Sequence, residues 1–206
     1  MALPERTAIA SRNTHKLREL GRICADWDTD WVSVQTHDPS AFPDVDETGE
    51  TYLDNALLKA RAVAAALGVP AIADDSGIEV DALGGKPGPR SARFAGAHAT
   101  DEENLGRLMQ ALKGIPASGR TARYRCVAAL AFPDGRALHA EGTCEGTLVA
   151  KRRGEGGFGY DPVFVPEGWE ETMAQLTDQQ KDRISHRGRA FRALKELLAS
   201  DLPDSR

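Results

Sequence analysis

The chain has 206 residues, 41% of them hydrophobic and 28% charged, and a formal net charge of -5. That length fits one large domain or two tightly joined lobes around a sizeable core, and the acidic balance argues against a nucleic acid polymer as partner. Pro4, Glu5 and Arg6 stand where an export signal needs a continuous apolar run, and no apolar stretch reaches the length of a membrane span. The expectation is a cytoplasmic protein with no membrane partner. Cys24, Cys126 and Cys144 are odd in number and far apart, without CxxC spacing, which predicts buried thiols in a reducing compartment.

In chain order, residues 7–11 read as a short buried strand. Leu17, Leu20, Cys24 and Trp27 then recur at helical spacing, with Lys16, Arg18, Glu19 and Arg22 on the other faces. A strand is expected near 31–35, followed by a polar, proline-punctuated loop over 37–49. The clearest helix covers 51–67, where Leu53, Leu57, Ala60, Ala64 and Leu67 make an apolar stripe and Gly68 with Pro70 stops it. Two strands, 71–74 and 78–83, are expected on either side of an Asp-Ser-Gly turn, then an irregular Gly/Pro-rich loop over 84–96.

Thr100-Asp101-Glu102-Glu103 is a capping box that opens a helix through Leu112. Residues 121–132 and 137–149 predict a long hairpin around Pro133-Asp134-Gly135-Arg136, and Val163-Phe164-Val165 a further strand. A last helix is expected over about 186–199, with Phe191, Leu194, Leu197 and Leu198 facing the core. No repeat or linker divides the chain, so the pattern reads as one α/β domain over 1–206 with a mixed sheet.

Four segments carry chemistry. Gly156-Gly157-Phe158-Gly159-Tyr160-Asp161-Pro162 combines glycines that permit close backbone approach with rings on which a base can stack. Ser11-Arg12-Asn13-Thr14-His15-Lys16 follows a strand and opens a helix, placing N–H groups and a lysine where an anion binds, though without the P-loop pattern. Its plain alternative is a helix cap followed by a solvated lysine. Asp74-Asp75-Ser76-Gly77 sits at the carboxyl end of an apolar strand, where ligands of α/β sheets bind and where carboxylates suit Mg²⁺. The alternative there is an Asx turn. Ser185-His186-Arg187-Gly188 starts the last helix shortly after Lys181, with Ser185 a ready N-cap and His186 and Arg187 as donors. Glu47 lies in an acidic loop, and Asn55 and Lys59 share one helical face by their spacing.

These strings, with Pro87-Gly88-Pro89-Arg90-Ser91-Ala92-Arg93 and the following Phe94-Ala95-Gly96, closely resemble the inosine triphosphatase family, the pyrophosphatases of non-standard purine nucleoside triphosphates. The likeness runs from Ala10 to Gly188. It implies a long mixed sheet flanked by helices, two lobes with a nucleotide cleft, and a homodimer. It also implies Mg²⁺-dependent hydrolysis of ITP, dITP and XTP to monophosphate and pyrophosphate. By position, the resemblance gives Ser11, Arg12, Asn13, Thr14, His15 and Lys16 to the phosphates and Glu47 and Asp75 to the metal. Asp75 is also the implied proton acceptor, with Lys59 and Ser76 near the substrate. Phe158, Gly159, Tyr160, Asp161, Lys181, His186 and Arg187 complete the implied nucleotide pocket. A pyrimidine-directed pyrophosphatase and a nucleotide sensor without hydrolysis are the competing readings; retained Asp75, Glu47 and lysines argue against the sensor.

Overall fold

Ala71–Val80 is one uninterrupted ten-residue strand, the first departure from the sequence reading. Asp74-Asp75-Ser76-Gly77 is not a turn: its residues continue the extended backbone from the apolar run before it into the one after it. The local turn preference of Asp, Ser and Gly yields to the strand neighbours on both sides, as strand propensity commonly does to context. The computed structural model describes residue 3 and residues 5–200, so Pro4, on which the N-terminal reading partly rests, lies outside the described residues.

Among the described residues the strands are β1 (Arg6–Ile9), β2 (Asp30–Val32), β3 (Ala71–Val80), β4 (Lys86–Pro87), β5 (Thr121–Ala131), β6 (Ala137–Leu148) and β7 (Phe164–Pro166). The helices are α1 (Thr14–Ile23), α2 (Tyr52–Leu67), α3 (Asp101–Ala111), α4 (Asp178–Ile184) and α5 (His186–Ser200). The strands form one mixed sheet in the order β2-β1-β3-β5-β6-β7, with β4 paired to β3. β1 runs parallel to both β2 and β3, while β3–β4 and β6–β7 are antiparallel.

The chain divides into two compact units. The first takes the described residues through Asp75, then 126–142, then those from Arg187 onward. Its strands bury both faces, and side-chain alternation sorts the residues between them. On one face Ile9, Ile72, Ala128 and Leu130 pack with Leu17 and Leu20 of α1 and Phe191 and Leu194 of α5. On the other, Ala8, Ala71, Ala73 and Ala129 pack with Ala56, Ala60 and Val63 of α2. Small residues on that second face let α2 lie close to the strands. The second unit comprises 76–125 and 143–186, with its own core of Ile78, Val80, Leu105, Leu108, Tyr124, Cys144 and Phe164.

Helix ends follow their capping chemistry. Thr51 and Thr100 each close a capping box, with Asp54 and Glu103 as reciprocal partners. α1 stops at Ile23, so the Leu17–Trp27 pattern outruns the helix, yet Cys24 and Trp27 are buried all the same. α4 is an element the hydrophobic pattern does not show, because its seven residues carry no apolar stripe. Its signal is the Thr177/Gln180 capping box. In α5 the expectation for Leu197 is corrected: Phe191, Leu194 and Leu198 share one stripe, while Leu197 is turned away from it and is 44% exposed. The three cysteines are buried thiols, and burial first, then a neighbouring aspartate, raises those of Cys24 and Cys126. No helix among the described residues is long and apolar enough to cross a membrane.

The two leucines of α5 provide a direct check on its buried face. Leu194→Ala should lower unfolding free energy by about 2–5 kcal/mol, whereas Leu197→Ala should stay within about 0.5 kcal/mol of the parent. Urea denaturation of both variants measures the difference.

Candidate active site

Because β3 is continuous, its alternation sends the two aspartates to opposite faces. Both lie just past the point where β1 ends against Ile72, at the carboxyl edge of the parallel strands. Asp74 follows Ile72 onto the α1/α5 face. There its Oδ2 accepts from Arg187 Nη2 at 2.9 Å and Nε at 3.2 Å, and Lys16 Nζ lies 3.1 Å away. Glu19 of α1 accepts from the same guanidinium. Arg187, Asp74 and Glu19 are all almost fully buried. Burial alone would raise the Asp74 carboxyl, but Arg187, Lys16 and Lys59 together hold it well below the usual carboxylate range. Asp74 Oδ1 is buried and has no hydrogen-bond partner among the described residues.

Asp75 follows Ala73 onto the α2 face. Asn55 Nδ2 donates to its Oδ2 at 3.2 Å, and Lys59 Nζ lies 3.6 Å from its Oδ1. Lys59 also donates to Glu47. Burial raises the Asp75 carboxyl, and the Glu47 charge raises it further, against the downward pull of Lys59 and Lys16. For Lys59, burial is outweighed by Asp75 and Glu47, so its ammonium is held above the ordinary lysine range. Adjacent residues are thus driven in opposite directions, a pattern that separates a fixed structural charge from a group able to exchange a proton. Glu47 and Asp75 meet the same ammonium, so one cation can be reached by both. Two hard carboxylates of this kind fit Mg²⁺, which takes its remaining ligands from phosphate and water. Among the described residues no group of three or more His, Cys, Asp or Glu is gathered for a metal.

The segment between β1 and α1 is arranged as a helix N-cap. Asn13 is the N-cap, its Oδ1 accepting from His15 N at 2.9 Å and Lys16 N at 3.2 Å, while Ser11 Oγ accepts from Asn13 N at 3.2 Å. Thr14 and His15 in the first turn are exposed. Arg12 reaches back over the following loop, donating to Phe42 O at 2.8 Å and pairing with Asp44 at 2.8 Å. The side chain of Asn13 takes two first-turn amides, so it is the helix cap, while Lys16 turns its ammonium to Asp74.

In the second unit the glycine-aromatic loop is organised by Asp161, which is 3% exposed. Its Oδ2 accepts from Lys181 Nζ at 2.5 Å and from Phe158 N at 2.9 Å, and its Oδ1 accepts from Tyr124 Oη at 3.1 Å. Gly157 is required: its φ is +69°, and a Cβ there would fall 2.1 Å from Asp161 Oδ2. The half-buried Phe158 ring has Lys181 Nζ 5.0 Å from its centroid. Gly159 N donates to Asp101 Oδ2 at 3.0 Å, and Tyr160 Oη to Ser91 O at 2.8 Å. Ser91 Oγ in turn accepts from Ile78 N at 2.9 Å, so the Pro87–Gly96 string braces the aromatic loop and the strand that carries Ser76. His186 is stacked on Tyr124 with centroids 4.6 Å apart and planes 8° from parallel.

Of the residues singled out in the sequence, Lys16, Glu47, Lys59, Asp75 and Arg187 are gathered in the first unit. Phe158, Gly159, Tyr160, Asp161, Lys181 and His186 are gathered in the second, where Ser76 also lies. The Arg187 guanidinium bonds Asp74 and Glu19, which makes it a buried tie. The sequence pattern gives Glu19, Ser91 and Asp101 other places and does not mark Tyr124, so their contacts to Arg187, Tyr160, Gly159 and Asp161 come from the fold. Glu19 was within reach, since it stands three residues from Lys16 on one helical face.

A continuous mixed sheet, an acidic pair at its carboxyl edge and an aromatic glycine loop define an α/β nucleotide-handling protein. The chain belongs to the Ham1 family, which it matches over residues 7–197. It is 49% identical over 197 residues to the dITP/XTP pyrophosphatase of Streptomyces coelicolor, covering 94% of this chain and 98% of that one. Its identity to the Bacillus cereus dITP/XTP pyrophosphatase is 45% over 196 residues, covering 94% and 95%. Among solved structures, the Staphylococcus aureus Ham1 protein superposes with a TM-score of 0.82 at 39% identity, over 96% of this chain and 100% of that one.

The buried tie is testable by stability alone. Arg187→Ala strands two buried carboxylates and should cost about 3–5 kcal/mol. Arg12→Ala breaks a pair exposed on both sides and should cost no more than about 1 kcal/mol. Chemical denaturation distinguishes the two.

Proposed function

We propose that this protein hydrolyses dITP, ITP and XTP to the nucleoside monophosphate and pyrophosphate. The observation that carries the reading is the cluster of Asp75, Glu47, Lys59 and Asn55, in which a buried carboxylate of raised pKa shares a lysine with a second carboxylate. The activity for which its relatives are named, dITP/XTP pyrophosphatase, agrees with that chemistry.

In this reading Glu47 and Asp75 hold Mg²⁺, which when bound offsets charge on the phosphate oxygens. Lys16 and Lys59 receive the phosphates; transfer of a phosphoryl group leaves the protein mainly positioning and electrostatic work. Asp75 accepts the proton of a water whose oxygen bonds to the α-phosphorus as the bond from that phosphorus to the α–β bridging oxygen breaks. Pyrophosphate leaves with that bridging oxygen, and the proton passes from Asp75 to solvent. Phe158 stacks on the purine, and donors at Lys181 and His186 meet its 6-oxo group. Adenine offers an amino donor at that position, so it faces donor against donor, at a cost of roughly 1–3 kcal/mol per unpaired group.

The active species in this reading is a homodimer acting on free nucleotides in the cytoplasm. Buried thiols suit a reducing compartment.

With dITP and Mg²⁺ the products should be dIMP and pyrophosphate, and kcat/KM for ATP should fall at least about tenfold below that for ITP or XTP. Asp75→Asn should lower kcat by roughly 10²–10⁴. Release of dIDP and orthophosphate, or near-normal turnover by Asp75→Asn, overturns the reading. Ion-exchange analysis of products with steady-state kinetics supplies both measurements.

A further inference from the structure

The side chain of Asn55 is fully buried, and both of its functional atoms are committed. Its Oδ1 accepts from Gly49 N at 2.8 Å, and its Nδ2 donates to Gly49 O at 3.3 Å. One amide therefore pairs with both backbone groups of a single residue, two positions after Glu47. The same Nδ2 donates to Asp75 Oδ2 at 3.2 Å. These contacts fix which end of the amide is nitrogen: only a donor can serve Gly49 O and a carboxylate together. Gly49 fits this arrangement closely, since a Cβ there would lie 2.6 Å from Asn55 Oδ1.

From this geometry we infer that Asn55 is a positioning residue that sets the Glu47 loop and the Asp75 carboxylate relative to each other. It is rooted in α2 one turn before Lys59, so a single rigid helix supplies both the amide that orients Asp75 and the ammonium that joins Asp75 to Glu47. Lys59 supplies charge but no directional constraint on the backbone of the Glu47 loop. Asn55 supplies the constraint: it holds the 47–49 segment through its backbone, leaving the Glu47 side chain able to exchange an ammonium for a metal ion. It also occupies one oxygen of Asp75 with a neutral donor, leaving Oδ1 to face the lysine. A neutral amide is suited to this role, because a cation there would compete with the metal and an anion would repel Asp75. Held this way, the two carboxylates lose little conformational freedom on taking a cation, which is how support of first ligands strengthens a metal site.

The inference rests on Glu47 and Asp75 as the metal pair, and its test separates the two. Mg²⁺ is titrated calorimetrically into protein saturated with an α,β-imido analogue of dITP, so that binding is read without turnover. Asn55→Ala should raise the Mg²⁺ dissociation constant about tenfold or more and lower kcat at saturating Mg²⁺, while KM for dITP changes less than about threefold. Asn55→Asp is isosteric and keeps the acceptor for Gly49 N, which guards against loss of fold. It should still lower kcat at least about tenfold, because it replaces the donor to Asp75 with a like charge. Circular dichroism verifies that each variant is folded. Mg²⁺ affinity and kcat within twofold of the parent in a folded Asn55→Ala protein would overturn the inference. Asp75→Ala is the control. If it weakens Mg²⁺ binding while Asn55→Ala does not, Asn55 alone is misassigned; if Asp75→Ala also leaves Mg²⁺ binding intact, the metal pair and the role of Asn55 fall together.

Discussion

Strand alternation at two adjacent aspartates is the constraint on which the site depends. Had residues 74–77 formed a turn, both carboxylates would have lain on one loop with similar surroundings. A continuous β3 instead places Asp74 among Lys16, Glu19 and Arg187, and Asp75 among Asn55, Lys59 and Glu47. The local chemistry then diverges. Asp74 is bound by cations on a buried face that hold its carboxyl well below the usual range, whereas Asp75 has one neutral donor and one shared lysine and burial raises its carboxyl. One backbone choice thus assigns two identical side chains to two tasks.

The buried tie around Arg187 also orders the elements that carry Lys16 and the two aspartates. Glu19 and Lys16 are one turn apart on α1, Arg187 is at the start of α5, and Asp74 is on β3. A buried ion cluster of this kind gives little net stability, because desolvation offsets most of its attraction, but removing one member leaves the others uncompensated. Its value is geometric: it holds the end of α1 that supplies Lys16 at the edge of β3. In the second unit Asp161 plays the corresponding part, with three donors on one carboxylate fixing the loop that presents Phe158.

Much of this was legible in the sequence. The apolar stripe of α2, the capping boxes of α2 and α3, and the hairpin of β5 and β6 all follow from short-range patterns. The Asp-Asp pair and the glycine-aromatic loop were visible as chemistry. What the sequence concealed were the decisions made by tertiary packing. Asp-Ser-Gly favours a turn locally, and only its neighbours in the sheet keep it extended. Arg187 reads as a surface donor beside His186, and only the burial of Glu19 and Asp74 turns it inward. Asn55 shares a face with Lys59 by spacing, but its grip on Gly49 depends on a loop path that no periodicity predicts. Tyr124 and Ser91 are ordinary strand and loop residues until Asp161 and Tyr160 are placed against them.

The division of labour between the two aspartates is tested most directly by comparing the unfolding free energies of Asp74→Asn and Asp75→Asn in urea at neutral pH. Asp74→Asn removes the anion that balances buried Arg187 and should destabilise by about 3–5 kcal/mol. Asp75→Asn replaces a carboxylate that burial already disfavours, leaves Glu47 to pair with Lys59, and should be neutral or stabilising. Equal losses from the two variants, or a larger loss from Asp75→Asn, would contradict the assignment of the structural charge to Asp74 and the chemical one to Asp75.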